Sequence, residues 1–161
     1  MDNPTKSYIA MKRMLRGLFG SDDKSVFVVS GAPGSGKSTY VREHRQRGDL
    51  VLDLDMIAAA LQGESSSHPD YEPVMDALMA AREAVYQVIE SRNGKWSRAF
   101  VITSSPDSAK VSSLARRLDG EIVKMKATQN ECISRIRADP TRSATERDVA
   151  LVDKWFSAQT E

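Results

Sequence analysis

Ten consecutive residues, Ser30-Gly31-Ala32-Pro33-Gly34-Ser35-Gly36-Lys37-Ser38-Thr39, constrain this chain more than any other stretch. They contain the spacing G-x-x-x-x-G-K-S. Glycines at Gly31, Gly34 and Gly36 let backbone N–H groups turn inward around an anion without Cβ clashes. A helix starting at the Lys aims its positive end at the same anion. Lys37 can then reach the outer phosphates of a nucleotide, and the Ser38 hydroxyl can ligate Mg²⁺. The flanks supply the context that such a phosphate-binding loop, or P-loop, requires. Ser25-Val26-Phe27-Val28-Val29-Ser30 reads as a buried strand, and Ser38-Thr39-Tyr40-Val41-Arg42-Glu43 continues as a helix. Gly31, Ala32, Pro33, Gly34, Ser35, Gly36, Lys37, Ser38 and Thr39 are therefore the expected nucleotide-binding residues, with Lys37 also catalytic and Ser38 a metal ligand.

The rest of the chain reads as strands alternating with helices. Leu50 to Asp55 is a second apolar strand, ending in carboxylates, and Met56 to Leu61 a helix. A polar loop, Gln62 to Pro69, precedes a long helix from Tyr71 to Arg92. That helix keeps Val74, Leu78, Ala81, Val85 and Ile89 on one face, and Asn93-Gly94 ends it. Arg98 to Thr103 is a third strand. Ser105 is the expected N-cap of the next helix, with Pro106 in its first turn. Glu121 to Lys126 is a fourth strand, and Thr128-x-x-Glu131 is a capping box opening a helix to Arg137. After the Asp139-Pro140 break, Ser143-x-x-Glu146 is expected to cap a last helix carrying Val149, Val152, Trp155 and Phe156. This alternation predicts an α/β fold of three layers: a parallel sheet of four or five strands covered on both faces. The P-loop, Asp53 and Asp55, and Thr103-Ser104-Ser105 should share the rim at the carboxyl ends of the strands. The domain is expected to span residues 25–161. Residues 1–24 form an N-terminal extension in which Tyr8 to Phe19 reads as a short basic amphipathic helix.

Asp53 and Asp55 form a second constellation. On one strand end, period-two spacing puts both carboxylates on one side. One can hold Mg²⁺ or its water, and the other can take a proton from an attacking hydroxyl. Their competing structural roles are an N-cap at Asp55 and a strand-end carboxylate at Asp53 satisfied by backbone donors. A third constellation is Arg135, Arg137, Arg142 and Arg147 around Asp139-Pro140. Guanidinium groups on a segment near 135–147 can close over a triphosphate as a lid. Arg135 and Arg142 are the first choices there and Arg137 the third; Arg42, Arg45 and Arg47 read as surface.

With these motifs in place, Val28 to Thr39 resembles the loop of the P-loop kinases, and most closely that of polynucleotide 5′-kinases and zeta-toxin-like phosphotransferases. The resemblance spans about Ser25 to Phe156 and implies a sheet order of 2-3-1-4. Leu52-Asp53-Leu54-Asp55-Met56-Ile57 is similar to the second strand of these kinases and to the Asp-x-Asp of shikimate kinases. That similarity implies metal support by Asp53 and proton acceptance by Asp55. Cys132 to Arg142 resembles an Arg-bearing lid, which implies Arg135 and Arg142 as catalytic groups. The implied reaction moves the γ-phosphoryl of ATP, with Mg²⁺, to a hydroxyl acceptor: a nucleic-acid 5′-end, a nucleotide or a small metabolite.

Three departures narrow this. Ala58 stands where polynucleotide kinases often carry an Arg; Thr103-Ser104-Ser105 replaces an acidic end of the third strand; and the Asp-Gly-x-Pro-Arg of adenylate kinases is absent. The missing acid argues against an NTPase coupled to motion, and a nucleotide-binding regulator without turnover is the remaining alternative. Bulk properties add little. The 161 residues carry 23 basic and 22 acidic side chains, so no strong nucleic-acid or membrane field is advertised. A single cysteine, Cys132, fits a reducing cytoplasm, and no signal-peptide or membrane-spanning pattern is present.

Overall fold

The computed structural model describes residues 24–159. The expected N-terminal helix at 8–19 lies outside them. Four strands, β1 (Ser25–Ser30), β2 (Leu50–Leu52), β3 (Arg98–Thr103) and β4 (Glu121–Lys124), form one sheet in the order β2-β3-β1-β4, as expected. Every pairing is parallel, with Val28 of β1 facing Val101 of β3 and Ile122 of β4. The helices are α1 (Lys37–His44), α2 (Leu54–Gln62), α3 (Met75–Ser91), α4 (Ser108–Leu118), α5 (Gln129–Ala138) and α6 (Thr145–Ser157), with a 3₁₀ turn at Glu72–Val74 before α3.

Strand alternation divides the core into two faces. Val26, Ala99 and Val101 point to one face and meet Ile89 of α3 and Leu118 of α4. Val29 and Phe100 point to the other and meet Val41 of α1. The central strands β1 and β3 are apolar on both sides because helices cover both, which is why they read as continuous hydrophobic runs, whereas the edge strand β4 leaves Ile122 exposed. A further cluster sits above the P-loop. There Ala32 packs with Cys132 and Ile136 of α5 and with Val149, Val152 and Trp155 of α6. The α5–α6 hairpin thereby buttresses the loop directly.

Several boundaries differ from the sequence expectation for a common reason. The β2 strand stops at Leu52, not Asp55, because the Asp53 side chain accepts from the Asp55 N–H and turns the chain into α2. Asp53, rather than Asp55, is the N-cap. Asp107 replaces Ser105 as the cap of α4, accepting from the Ala109 and Lys110 N–H groups. The Ser105 hydroxyl instead accepts from the Asp107 N–H. The α6 helix starts at Thr145 with Ala144 at the cap and no side-chain capping bond, so Ser143 does not cap it. The long helix begins with the 3₁₀ turn and ends at Arg92, which adopts φ 58° and whose Nη1 donates to the Ile89 and Leu118 carbonyls. The Thr128–Glu131 capping box forms as expected.

Candidate functional site

The P-loop runs from the end of β1 into α1. Gly34 (φ 75°) and Gly36 (φ 93°) occupy the left-handed region that side chains disfavour. A Cβ on Gly34 would lie 2.7 Å from the Cys132 carbonyl, so this glycine also permits the close approach of α5. Lys37 is 7% exposed, and its ammonium donates to the Gly31 carbonyl at 2.9 Å and the Ala32 carbonyl at 2.7 Å. Burial lowers its pKa to about 8, against the raising influence of Cys132, Asp53 and Asp55 nearby.

These residues fit a chain of phosphates. Among the described residues, the buried Ser35 hydroxyl has no hydrogen-bond partner, and the Lys37 ammonium occupies the loop interior on backbone carbonyls. A buried cation and an orphaned donor around left-handed glycines form an anion cradle. Beside it, the Ser38 hydroxyl donates to Asp53 Oδ2 at 3.2 Å. Among the described residues, no group of three or more His, Cys, Asp or Glu side chains is placed to hold a metal by itself. One carboxylate and one hydroxyl suit Mg²⁺, which usually binds through one or two protein carboxylates, water and substrate phosphates.

Asp55 sits in the first turn of α2, not on the strand, yet its charge and that of Asp53 both bear on Lys37. The Tyr71 hydroxyl donates to Asp55 Oδ1 at 2.6 Å. Burial pushes the Asp55 carboxyl above the usual range, with the Tyr71 hydrogen bond opposing and the Asp53 charge adding. Burial and the Asp55 bond push the Tyr71 phenol far up, so it stays a donor. Over Asp55 lies the loop between α2 and the 3₁₀ turn. His68 Nδ1 is 3.9 Å from Asp55 Oδ2, and His68 Nε2 is 3.1 Å from Asp139 Oδ2. Asp139 ends α5, and its pKa falls to about 2, chiefly through hydrogen bonds from Thr141 and also through His68.

The arginines divide. Arg135 is exposed on α5, its guanidinium reaching over the P-loop to the Gly34 carbonyl at 3.4 Å. Arg142 is largely buried and donates to Asp148 Oδ2 at 2.7 Å. Its Nε lies 3.3 Å from Asp139 Oδ2 without hydrogen-bond alignment. The Arg142 charge bears on both Lys37 and Asp55. Arg137 and Arg147 lie exposed on the hairpin, as do Arg42, Arg45 and Arg47 at the end of α1. Thr103 and Ser105 close the turn after β3, the Thr103 hydroxyl accepting from the Ser105 N–H. Ala58 is fully buried and packs as core.

The sequence does not single out Tyr71, His68, Asp139 or Asp148 as site residues. No periodicity marks them: His68 and Asp139 meet across 71 residues of sequence. The only cue was a lone polar loop holding one of two histidines.

Comparison with known proteins bears on the fold. A family model for the AAA domain matches residues 26–159. No curated protein matches the chain. Among solved structures, a chain of the Pnkp1/Rnl/Hen1 RNA repair complex is similar, with a TM-score of 0.55 and 14% identity over 84% of this chain. This chain spans 46% of that one, less than half its length. Shikimate kinase from Acinetobacter baumannii, solved in complex with shikimate, is similar at a TM-score of 0.51 and 15% identity, covering 85% of this chain and 81% of that one. The fold is thus that of the P-loop kinases.

Proposed function

This chain belongs to the AAA domain family, and we propose that it is an ATP-dependent phosphotransferase that moves the γ-phosphoryl of ATP to a hydroxyl acceptor. The observation that carries the reading is one rim holding a phosphate cradle, a Ser38–Asp53 pair and a separately environed carboxylate, Asp55. Mg·ATP bound there supplies the phosphoryl group and the cation that neutralises its charge. Lys37 leaves its backbone carbonyls for the outer phosphates. Ser38 and Asp53 hold the metal side, while Arg135 stabilises charge above the loop. Asp55 accepts the proton of the attacking hydroxyl, with Tyr71 holding Oδ1 so that Oδ2 faces the acceptor.

The acceptor half of the rim favours a small acceptor without phosphates. From Gly48 to Ala81 the chain carries Asp49, Asp53, Asp55, Glu64, Asp70, Glu72 and Asp76 and neither Lys nor Arg. A polynucleotide needs cations along its backbone, and this stretch of chain supplies none. The similarity to the RNA repair complex keeps the 5′-hydroxyl of a strand as the second reading.

Transfer from [γ-³²P]ATP tests both. Wild type and Asp55→Asn are incubated with a panel of neutral polyols and amino alcohols and, separately, with 5′-hydroxyl oligonucleotides. Label on a small acceptor that is lost in Asp55→Asn supports the leading reading. Label on oligonucleotides alone selects the second. Saturable ATP binding with no label on any acceptor overturns the transferase reading in favour of a nucleotide-binding regulator.

A further inference from the structure

We infer that His68 is a positioning residue that clasps the acceptor loop to the Arg-bearing hairpin, so that nucleotide binding on one side orders the acceptor site on the other. The inference rests on the reading above, in which Asp55 meets the acceptor and Arg135 and its helix meet the nucleotide.

The connection can be followed bond by bond. The loop from Gly63 to Asp70 leaves α2 at Gly63, whose φ is 68°. Gln62 Nε2 ties its far end back to α2 by donating to the Asp70 carbonyl at 2.7 Å. Within the loop the His68 N–H donates to the Ser66 hydroxyl at 3.2 Å, and Pro69 is buried. These bonds hold the loop to itself and to α2. The imidazole makes a different connection, 3.1 Å from Nε2 to the Asp139 carboxylate at the end of α5. Beyond Asp139 the chain of charge continues through Arg142 to the buried Asp148 of α6. In the other direction α5 meets the P-loop, with the Cys132 carbonyl pressed against Gly34 and Arg135 above it.

His68 therefore stands between two halves of one site. Its ring meets Asp55 on the acceptor side and Asp139 on the nucleotide side. The Asp139 carboxylate accepts from Nε2–H, which fixes how the ring presents Nδ1. At 3.9 Å from Asp55 Oδ2, Nδ1 is too far for a hydrogen bond. That spacing leaves Oδ2 open to an acceptor hydroxyl while the ring roofs it. Ordering α5 by nucleotide then orders Asp139, the ring and the loop over Asp55. Such coupling through a two-sided contact is how binding at one site alters another.

Hydrogen exchange on the full chain, with and without saturating Mg·AMP-PNP, tests this in wild type, His68→Ala and His68→Gln. The Gln amide nitrogen occupies nearly the place of Nε2 and keeps the donor to Asp139. Wild type and His68→Gln should show exchange across residues 63–71 slowed at least about fivefold by nucleotide, and His68→Ala less than about twofold. Protection of the P-loop, residues 31–39, should be equal in all three, which also certifies that His68→Ala is folded. Equal slowing of 63–71 in wild type and His68→Ala overturns the clasp. Protection of 31–39 in wild type without any at 63–71 overturns it as well, with nucleotide binding intact. Absence of protection at 31–39 overturns the nucleotide reading itself, and the clasp falls with it.

Discussion

Asp53 uses its two carboxylate oxygens for two different elements: Oδ2 receives the Ser38 hydroxyl at 3.2 Å, and Oδ1 receives the Asp55 N–H at 3.0 Å. One side chain thus couples the start of α1 to the start of α2 and fixes the distance between the P-loop and Asp55. Asp53 is 8% exposed, so both bonds form in a partly desolvated setting where they are strong.

This double duty separates two substitutions at one position. Asp53→Asn keeps an oxygen for the cap and should cost less than about 0.5 kcal/mol of stability, while shifting the Mg²⁺ requirement for transfer to higher concentration. Asp53→Ala loses the cap as well and should cost about 1 kcal/mol more. Urea unfolding paired with a Mg²⁺ titration of activity checks both. Equal Mg²⁺ dependence in wild type and Asp53→Asn would remove Asp53 from the metal.

The buried Lys37 ammonium makes a prediction about pH. Its folded pKa, about 8, lies below the unfolded value of 10.5. Between those values the unfolded chain binds the extra proton, so stability without nucleotide should rise with pH from about 8 to 10. Lys37→Met removes the titrating group and should be more stable than wild type at pH 7 by roughly 1–3 kcal/mol, with the gap closing toward pH 10. Nucleotide binding should be lost in the same variant. Chemical denaturation of both proteins at pH 7, 8.5 and 10 measures the gap. A constant gap would mean that Lys37 does not carry the shift.

Arg135 and Arg142 should behave oppositely, although both were chosen from one Arg-rich segment. Arg135 is exposed, so Arg135→Ala should change stability by less than about 0.5 kcal/mol and lower transfer by about 10-fold or more. Arg142 pairs with Asp148, which is 7% exposed. Arg142→Ala leaves that buried carboxylate only the exposed Arg147 guanidinium, 3.5 Å from Oδ1, and should cost on the order of 2 kcal/mol. Thermal melts and transfer rates for the two variants, measured side by side, distinguish a charge over the phosphates from a strut of the hairpin.

The legible parts of this molecule were those in which each residue's role is local. Val26 to Val29 had to be a two-faced strand, and Gly34 and Gly36 had to turn at a helix start, so the strand–loop–helix unit followed from the residues, whereas the sheet order came from the resemblance to the P-loop kinases. The Asp-x-Asp misled because a carboxylate two residues before a free N–H competes with strand extension. Asp53 captures the Asp55 N–H, the strand stops at Leu52, and Asp55 reaches the rim from a helix instead. The same competition moved the α4 cap from Ser105 to Asp107, which accepts from two N–H groups. Tyr71–Asp55 and His68–Asp139 were not legible at all. They depend on where the hairpin and the loop after α2 come to rest, which no window of sequence encodes.

Tyr71 gives the site a pH signature. Its hydrogen bond lowers the Asp55 pKa against the raising effect of burial. Tyr71→Phe removes that donor and keeps the ring, so Asp55 should hold its proton to higher pH. A base must be deprotonated to act, and the acidic limb of kcat/KM for transfer should therefore move upward in pH. A pH–rate profile of the variant against wild type decides it. An unmoved limb would disconnect Asp55 from the rate.

Asp55 itself carries the sharpest test. Because Asp53 is the cap of α2, Asp55→Asn disturbs no capping bond, and it relieves repulsion with Asp53. Stability should be unchanged or slightly raised, and Mg·ATP should still bind. The asparagine amide can still accept from Tyr71 but cannot take a proton, so transfer should fall by about 10²-fold or more. Isothermal titration with AMP-PNP and a transfer assay on the same preparation separate binding from chemistry. If Asp55→Asn transfers at the wild-type rate, the proton goes elsewhere. A ring nitrogen of His68 lies 3.9 Å from Asp55 Oδ2, and a rate then lost in His68→Ala would move the base from α2 to the loop.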